Sequence, residues 1–280
     1  MIGYYYCSLE TFLNIVKNKE IYLSDPLKMN DKSEIKWAFE KLIEYNIDKQ
    51  EELINDLKWR AEFDFSFDEL LNTLDLKGQK SVYISCFSKN PDLLSQWRAY
   101  ADDGNGVSIG FDLDKIAASK DNLFVEEIKY SNRIEDLSEI QYIADEYAAV
   151  NCEKQITDKD EQLATFLHEL IPVLLKYKNP AFSEEDEVRL IYCDNMIFET
   201  IVDSYGALEK PFNPLQLAHH FRTIKKNDIT EFVKLEFEPD CITEIYIGPK
   251  SSLKINNVLN VTKKLLEVEP SVKISSASYH

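Results

Sequence analysis

In the stretch AFSEEDEVRLIY, residues 181–192, three side chains have the types and the spacing for acid–base chemistry: Glu185, Glu187 and Arg189. Residues two apart in a strand share a face. An extended chain here would line up these three and turn Val188, Leu190 and Tyr192 to a buried side. Two carboxylates steadied by a guanidinium can take a proton from a nucleophile and stabilise positive charge developing in a transition state. The same pattern suits an Arg–carboxylate ladder on a solvated strand face, with Ser183 and Glu184 capping the turn before it.

Other residues offer chemistry of their own. Tyr4 and Tyr6 share one face of a Tyr-rich first strand, where they either pack or line a pocket. Trp97, Arg98 and Tyr100 follow Pro91 on a helix. Trp97 and Tyr100 are spaced as core anchors; alternatively they stack on a flat ring while Arg98 reaches a phosphate. Asn30-Asp31 reads as a turn or cap, or as a polar corner of a pocket. Pro91-Asp92 followed by Glu127-Ile128-Lys129 has the order of a metal-dependent nuclease, in which the acids hold Mg²⁺ and Lys129 assists the nucleophile. Asn90-Pro91-Asp92 is equally a helix start, where Asp favours the dipole. Asp112 to Asp114 reads as a cap. The cysteines Cys7, Cys86, Cys152, Cys193 and Cys241 are odd in number, widely spaced and without C-x-x-C, so they read as reduced core residues. His219 and His220 would point to different sides of a helix and His280 is the last residue, so no metal is expected.

The elements that must position these residues follow from periodicity. Tyr4–Tyr6 open as a strand, and Ser8 caps a helix carrying Leu9, Phe12, Leu13 and Val16. EIYLSDP is a second extended piece. Helices are predicted from Ser33 to about Arg60 and from Phe67 to Leu76. KSVYISCFS is a strand. NPDLLSQWRAYADDG is a helix with Asn90 as cap, Pro91 in its first turn and Gly104 past its end. GVSIGFD and NLFVEEIKYS are strands, and 135–178 is helical. DEVRLIYC, NMIFETIVDS, ITEFVKLEFE, CITEIYIGP and SVKISSAS are strands. LQLAHHFR is at most a short helix, and SLKINNVLNVTKKLLE is the last helix. Strands interspersed with helices without strict alternation indicate α+β. The expectation is a single domain over 1–280 whose mixed or antiparallel sheet is assembled from both ends of the chain. Helical insertions would lie near 33–76 and 135–178.

Composition narrows the function classes. The 280 residues hold 44% hydrophobic side chains, enough for a sizeable core, and only 7 glycines, too few for repeated-glycine nucleotide cradles. The net charge of −18 argues against tight non-specific binding to nucleic acid, although a local basic patch is compatible with it. The chain has no apolar run of the ~18 residues a membrane span needs. Its N-terminus lacks the basic start and long apolar region of a signal peptide, which predicts a cytoplasmic protein.

Three stretches resemble a bacterial family, the domain of unknown function 2971. They are YYYCSLETFLNIVKNKEIYLSDPLKMND, YISCFSKNPDLLSQWRAYADDGNGVSIGFD with Trp97, Tyr100 and Gly106, and FSEEDEVRLI; the later EIYIGPK also fits. The resemblance implies little chemistry, and by association a role in phage defence or stress. The motif order is also similar to that of ADP-ribosyltransferases: Tyr4 to Ser8 on a first strand, Ser85-Cys86-Phe87-Ser88 on a second, Glu185-Asp186-Glu187 on a later one. It departs in having no Arg or His on the first strand and Ser-x-x-Ser in place of Ser-Thr-Ser. This likeness implies NAD as substrate. Glu187 would hold the ribose hydroxyls, Glu185 would act as base on the acceptor, Arg189 would orient the pair, and Tyr4, Tyr6, Ser85, Ser88 and Arg98 would contact the dinucleotide. Two alternatives stand beside the transferase: a non-catalytic module binding a protein partner through its acidic face and Tyr-rich strand, and a Mg²⁺-dependent nuclease.

Overall fold

The structure is a computed structural model that describes residues 1–28, 35–41, 82–118, 120–132, 170–194, 214–224 and 228–279. The chain divides into two compact units, one of Met1–Asp25, Tyr83–Glu127 and Glu184–His280, the other of Pro26–Val82 and Ile128–Ser183. The insertions expected near 33–76 and 135–178 fall in the second. They lie outside the described residues except for helical 35–41 and 170–174 and the residues after 174.

In the first unit the strands are β1 (Ile2–Cys7), β2 (Glu20–Ser24), β3 (Val82–Ser88), β4 (Val107–Asp112), β5 (Leu123–Glu127), β8 (Glu187–Cys193), β9 (His219–Ile224), β10 (Asp228–Glu236), β11 (Ile242–Ile247) and β12 (Ser271–Ile274). In the second, β6 (Lys129–Tyr130) and β7 (Tyr177–Lys178) form a short parallel pair. The large sheet runs β12-β11-β4-β1-β3-β2-β10-β9, and β8 pairs with β3 and β5. β11 and β12 are parallel, whereas β1 is antiparallel to both β3 and β4. The fold is therefore α+β, with a mixed sheet built from both ends of the chain.

Local sequence explains the elements that hold this sheet. Helix α1 (Leu9–Asn18) starts where Ser8 Oγ accepts the Thr11 N–H at 3.2 Å, and it stops at Lys19, which is left-handed at φ 58°. Its Phe12, Ile15 and Val16 recur at helical spacing and enter the core. There they meet Cys7, Ile109, Phe111, Val188, Leu190, Tyr192, Val233, Ile245 and, from the helix Ile255–Leu265, Val258. Each such apolar side chain contributes about 1.5–3 kcal/mol on burial. Gly106 enters β4 where a Cβ would sit 2.0 Å from the Cys7 carbonyl oxygen, so only glycine lets the chain pass there.

Four expectations are corrected. Helix α2 spans Leu94–Tyr100, and Asn90-Pro91-Asp92 forms a turn before it, with the Asp92 N–H on Asn90 Oδ1 at 3.0 Å. That side-chain turn competes successfully with helix start. NLFVEEIKYS is two strands in two sheets, β5 and β6, because the chain changes sheet at buried Ile128. His219 and His220 open strand β9 rather than ending a helix; pairing with β10 supplies hydrogen bonds that local propensity did not signal. The fourth correction concerns Glu185. Asn30-Asp31, Cys152, His280, the helix predicted over 67–76 and NMIFETIVDS at 195–204 lie outside the described residues. The four described cysteines, Cys7, Cys86, Cys193 and Cys241, are not in disulfides. Among the described residues no helix is long and apolar enough to cross a membrane.

Candidate functional site

Glu187 and Arg189 are both on β8 and point to the same side, as strand alternation requires. Arg189 Nε donates to Glu187 Oε1 at 2.6 Å and Nη2 to Oε2 at 3.1 Å, a two-pronged pair. Glu187 is 5% exposed and Arg189 2% exposed. Val188, Leu190 and Tyr192 enter the core on the other face, as the alternation predicted. β8 is therefore buried on both faces, and the pair is not a solvated ladder. Glu185 does not line up with it. Residues Pro180–Glu185 form a 3-10 segment, and Asp186 turns the chain at φ 45° before β8 begins. A left-handed residue between the two glutamates removes the strand alternation on which their shared face depended.

The acidic run is not one patch of charge, because Asp186 and Glu187 face different cations and Glu184 accepts from a hydroxyl. Glu184 accepts from Ser95 Oγ at 3.0 Å. The Glu185 carbonyl accepts from Ser88 Oγ at 2.8 Å. The Asp186 carbonyl accepts the Lys89 N–H at 2.7 Å, and Lys89 Nζ lies 3.0 Å from the Asp186 carboxylate and 2.9 Å from that of Glu127. The hydrogen bonds to Glu127 and then Asp186 raise the Lys89 pKa. The run thus docks on the chain leaving β3.

That docking brings distant segments together. β3 pairs with both β8 and β1, and Tyr4 lies opposite Ser88 in register. Alternation puts Tyr4, Tyr6, Ser88, Glu187 and Arg189 on the face opposite the large core. Ser85 is buried, but on the core side with Tyr83 and Phe87, since residues three apart in a strand face opposite ways. It does not join the others.

The tyrosines are held firmly. The Tyr6 hydroxyl donates to the Asn90 carbonyl and accepts the Leu93 N–H, both at 2.8 Å, with its ring edge-on to Trp97 at 4.8 Å. The Tyr4 hydroxyl donates to Glu244, whose other oxygen accepts from Lys273 Nζ at 2.6 Å. Burial and then the bond to Glu244 push the Tyr4 phenol above its ordinary range. Burial alone would lift the Glu244 carboxyl, but Lys273 and Tyr4 hold it below the usual range. Trp97 is the buried anchor expected, whereas Tyr100 is 46% exposed and Arg98 is exposed, its guanidinium 4.6 Å from the centre of the Tyr279 ring.

The nuclease-like pattern is otherwise engaged. Asp92 accepts from Trp97 Nε1 at 2.7 Å, from Ser275, and from the Ser276 N–H and hydroxyl at 2.7 and 2.8 Å. Burial opposes its ionisation, but these donors lower its pKa. Glu127 pairs with Lys89, and Lys129 begins the other sheet. No metal-binding group of three His, Cys, Asp or Glu side chains occurs among the described residues.

Two groupings escaped the sequence. One is Glu244 with Lys273; the alternation Glu244, Tyr246 against Ile245, Ile247 was the available signal. The other surrounds His219. Its Nε2 is 2.9 Å from Asp194 Oδ2, and its Nδ1 is 2.7 Å from Glu231 Oε1 and 3.0 Å from the Tyr83 hydroxyl. Burial would lower the His219 pKa, but the hydrogen bonds to Glu231 and Asp194 raise it overall. Nearby, Tyr192 donates to Asp194 at 3.1 Å, and burial foremost, with Asp194, pushes its phenol up to about 12.

Residues 96–190 match the model of a family described as Protein of unknown function (DUF2971), in agreement with the resemblance read from the sequence. No curated protein and no solved structure matches the chain.

Proposed function

We propose that this chain, which carries the DUF2971 pattern over residues 96–190, is an NAD-using transferase of the ADP-ribosyltransferase type. One observation carries the proposal. Strands β1, β3 and β8, from three separate parts of the sequence, are neighbours in one sheet, and their alternation puts Tyr4, Tyr6, Ser88, Glu187 and Arg189 on one face. The donor set suits a ribose. A carboxylate fixed by a guanidinium accepts sugar hydroxyls.

In such a reaction the bond between nicotinamide and the ribose C1′ breaks, nicotinamide leaves with the bonding pair, and an acceptor nucleophile attacks C1′. Glu187 would hold the ribose hydroxyls and stabilise the cationic sugar. Its near-complete burial strengthens that interaction, because little water screens it. Arg189 would fix the carboxylate's direction. The acceptor's proton would pass to solvent, since the turn at Asp186 separates Glu185 from the Glu187–Arg189 pair. A role in phage defence is part of the same proposal and rests on family association alone.

The test is nicotinamide release from NAD by wild type and Glu187→Gln, with circular dichroism to verify the fold. The variant keeps a hydrogen-bond acceptor for Arg189 and is expected to be about 100- to 1,000-fold slower. Wild type that neither binds nor consumes NAD would end the transferase reading. A second reading, the protein-binding module, is favoured by Phe221 and Ile229, which are 68% and 59% exposed on neighbouring strands β9 and β10.

A further inference from the structure

The β2–β10–β9 end of the large sheet carries an aromatic ladder with cations on it. On the face away from the core, Phe232 of β10 has Tyr22 of β2 on one side, ring centres 4.8 Å apart, and His220 of β9 on the other at 5.5 Å. The Arg222 guanidinium lies 5.4 Å from the Phe232 ring centre, and its Nη2 donates to buried Ser24 Oγ at 2.9 Å. Lys234 Nζ lies 5.7 Å from the Tyr22 ring centre but pairs with Glu20 at 3.2 Å. Arg222 is exposed and makes no ion pair with a described residue. Lys89, Lys115, Arg189, Lys250 and Lys273, by contrast, all end on carboxylates. The surrounding sequence avoids acids too: Lys210 to Asn227 contains no Asp or Glu.

We propose that this ladder is a binding site for a free nucleoside phosphate: the juxtaposition of Arg222, Ser24 and the Tyr22–Phe232–His220 rings takes a phosphate and the base attached to it. Ser24 uses one guanidinium nitrogen and sets the plane of the fork, which leaves the remaining N–H groups for phosphate oxygens. The half-exposed rings of Tyr22 and His220 present the stacking surface for the base, while buried Phe232 holds them in line. One cation with no carboxylate partner among the described residues suits one phosphate group. A nucleic-acid strand needs several phosphate contacts against the repulsion of a strongly acidic molecule, so the occupant is a nucleotide and not a strand.

The assignment does not rest on the transferase reading, and its probe, ADP, has no nicotinamide bond to break. Calorimetric titration of the full chain with ADP, inorganic pyrophosphate and an oligothymidylate of about ten nucleotides tests it. ADP is expected to bind, and to bind more tightly than pyrophosphate because the base stacks. Arg222→Gln is expected to weaken ADP by about tenfold or more and His220→Ala by a smaller factor, both with unchanged circular dichroism since neither side chain is in the core. The proposal is overturned if wild type shows no heat with ADP up to about 5 mM. It is equally overturned if Arg222→Gln binds ADP as wild type does, if pyrophosphate matches ADP, or if the oligonucleotide binds more tightly than ADP.

Discussion

Arg189 sits where an arginine is costly to remove. It is 2% exposed, and its fork spans both Glu187 oxygens. Taking away the guanidinium strands a carboxylate out of water, and breaking such a buried pair typically costs about 3–5 kcal/mol. Arg189→Met is therefore expected to lower the urea midpoint sharply, so its loss of activity would report folding as much as chemistry. Glu187→Gln is the informative substitution for that reason. His219 behaves differently because an imidazole can gain or lose its charge within the ordinary pH range, and its pKa is raised here. A neutral imidazole has one N–H, yet both His219 nitrogens face carboxylates, so the protonated form fits the site. Its folded pKa is raised, hence its stabilising contribution is complete below about pH 6.5 and is lost as pH rises through the native value. The stability gap between wild type and His219→Gln, measured by denaturant at about pH 6 to 9, is expected to narrow as pH rises. A gap that widens would contradict the protonated assignment.

At the scale of elements, the join between the 3-10 segment and β8 decides which acids can act together. Asp186 at φ 45° is the hinge of that join, and its side chain faces the Lys89 ammonium. Aspartate tolerates the left-handed region better than most residues, glycine tolerates it best, and a β-branched residue least. Asp186→Gly should leave stability within about 1 kcal/mol of wild type, since the exposed ion pair it loses is worth little. Asp186→Val should cost about 1–2 kcal/mol and shift Glu187 relative to Ser88. Equal effects of the two substitutions in thermal unfolding would show that the ion pair, and not the backbone, holds the join. Helix α2 makes a related point. Residue types place its start at Asn90, but the Asn90 side chain closes a turn on the Asp92 N–H, and the Asp92 carboxylate is held by Ser276, 184 positions away in sequence. A cap is a local signal, and a turn anchored by distant residues overrides it.

For the whole molecule the dominant quantity is the net charge of −18. Repulsion among charges more than about 10 Å apart is screened by ordinary salt, while close pairs such as Lys89–Glu127 are screened less. Raising NaCl from about 10 to 300 mM is expected to raise the apparent Tm by about 2–4 °C, and a fall would mean that ion pairs outweigh the general repulsion. The charge, the α+β class and the placing of Val188, Leu190 and Tyr192 in the core were legible from composition and from alternation, because both are properties of nearby residues. So was the pairing of Glu187 with Arg189, two residues apart. Strand β9 was not, since its hydrogen bonds come from β10, and neither was the separation of Glu185 from Glu187, which depends on one backbone angle at Asp186. The sequence by itself determined which side chains were available, and for single strands and helices which of them share a face. Only the tertiary structure decided that Tyr4 lies opposite Ser88 on strands of which one pairs with the strand of Glu187, that Ser85 faces the other side, and that His219 lies between Asp194 and Glu231. Strand order and register arise from contacts between segments scores of residues apart, and no local pattern records them.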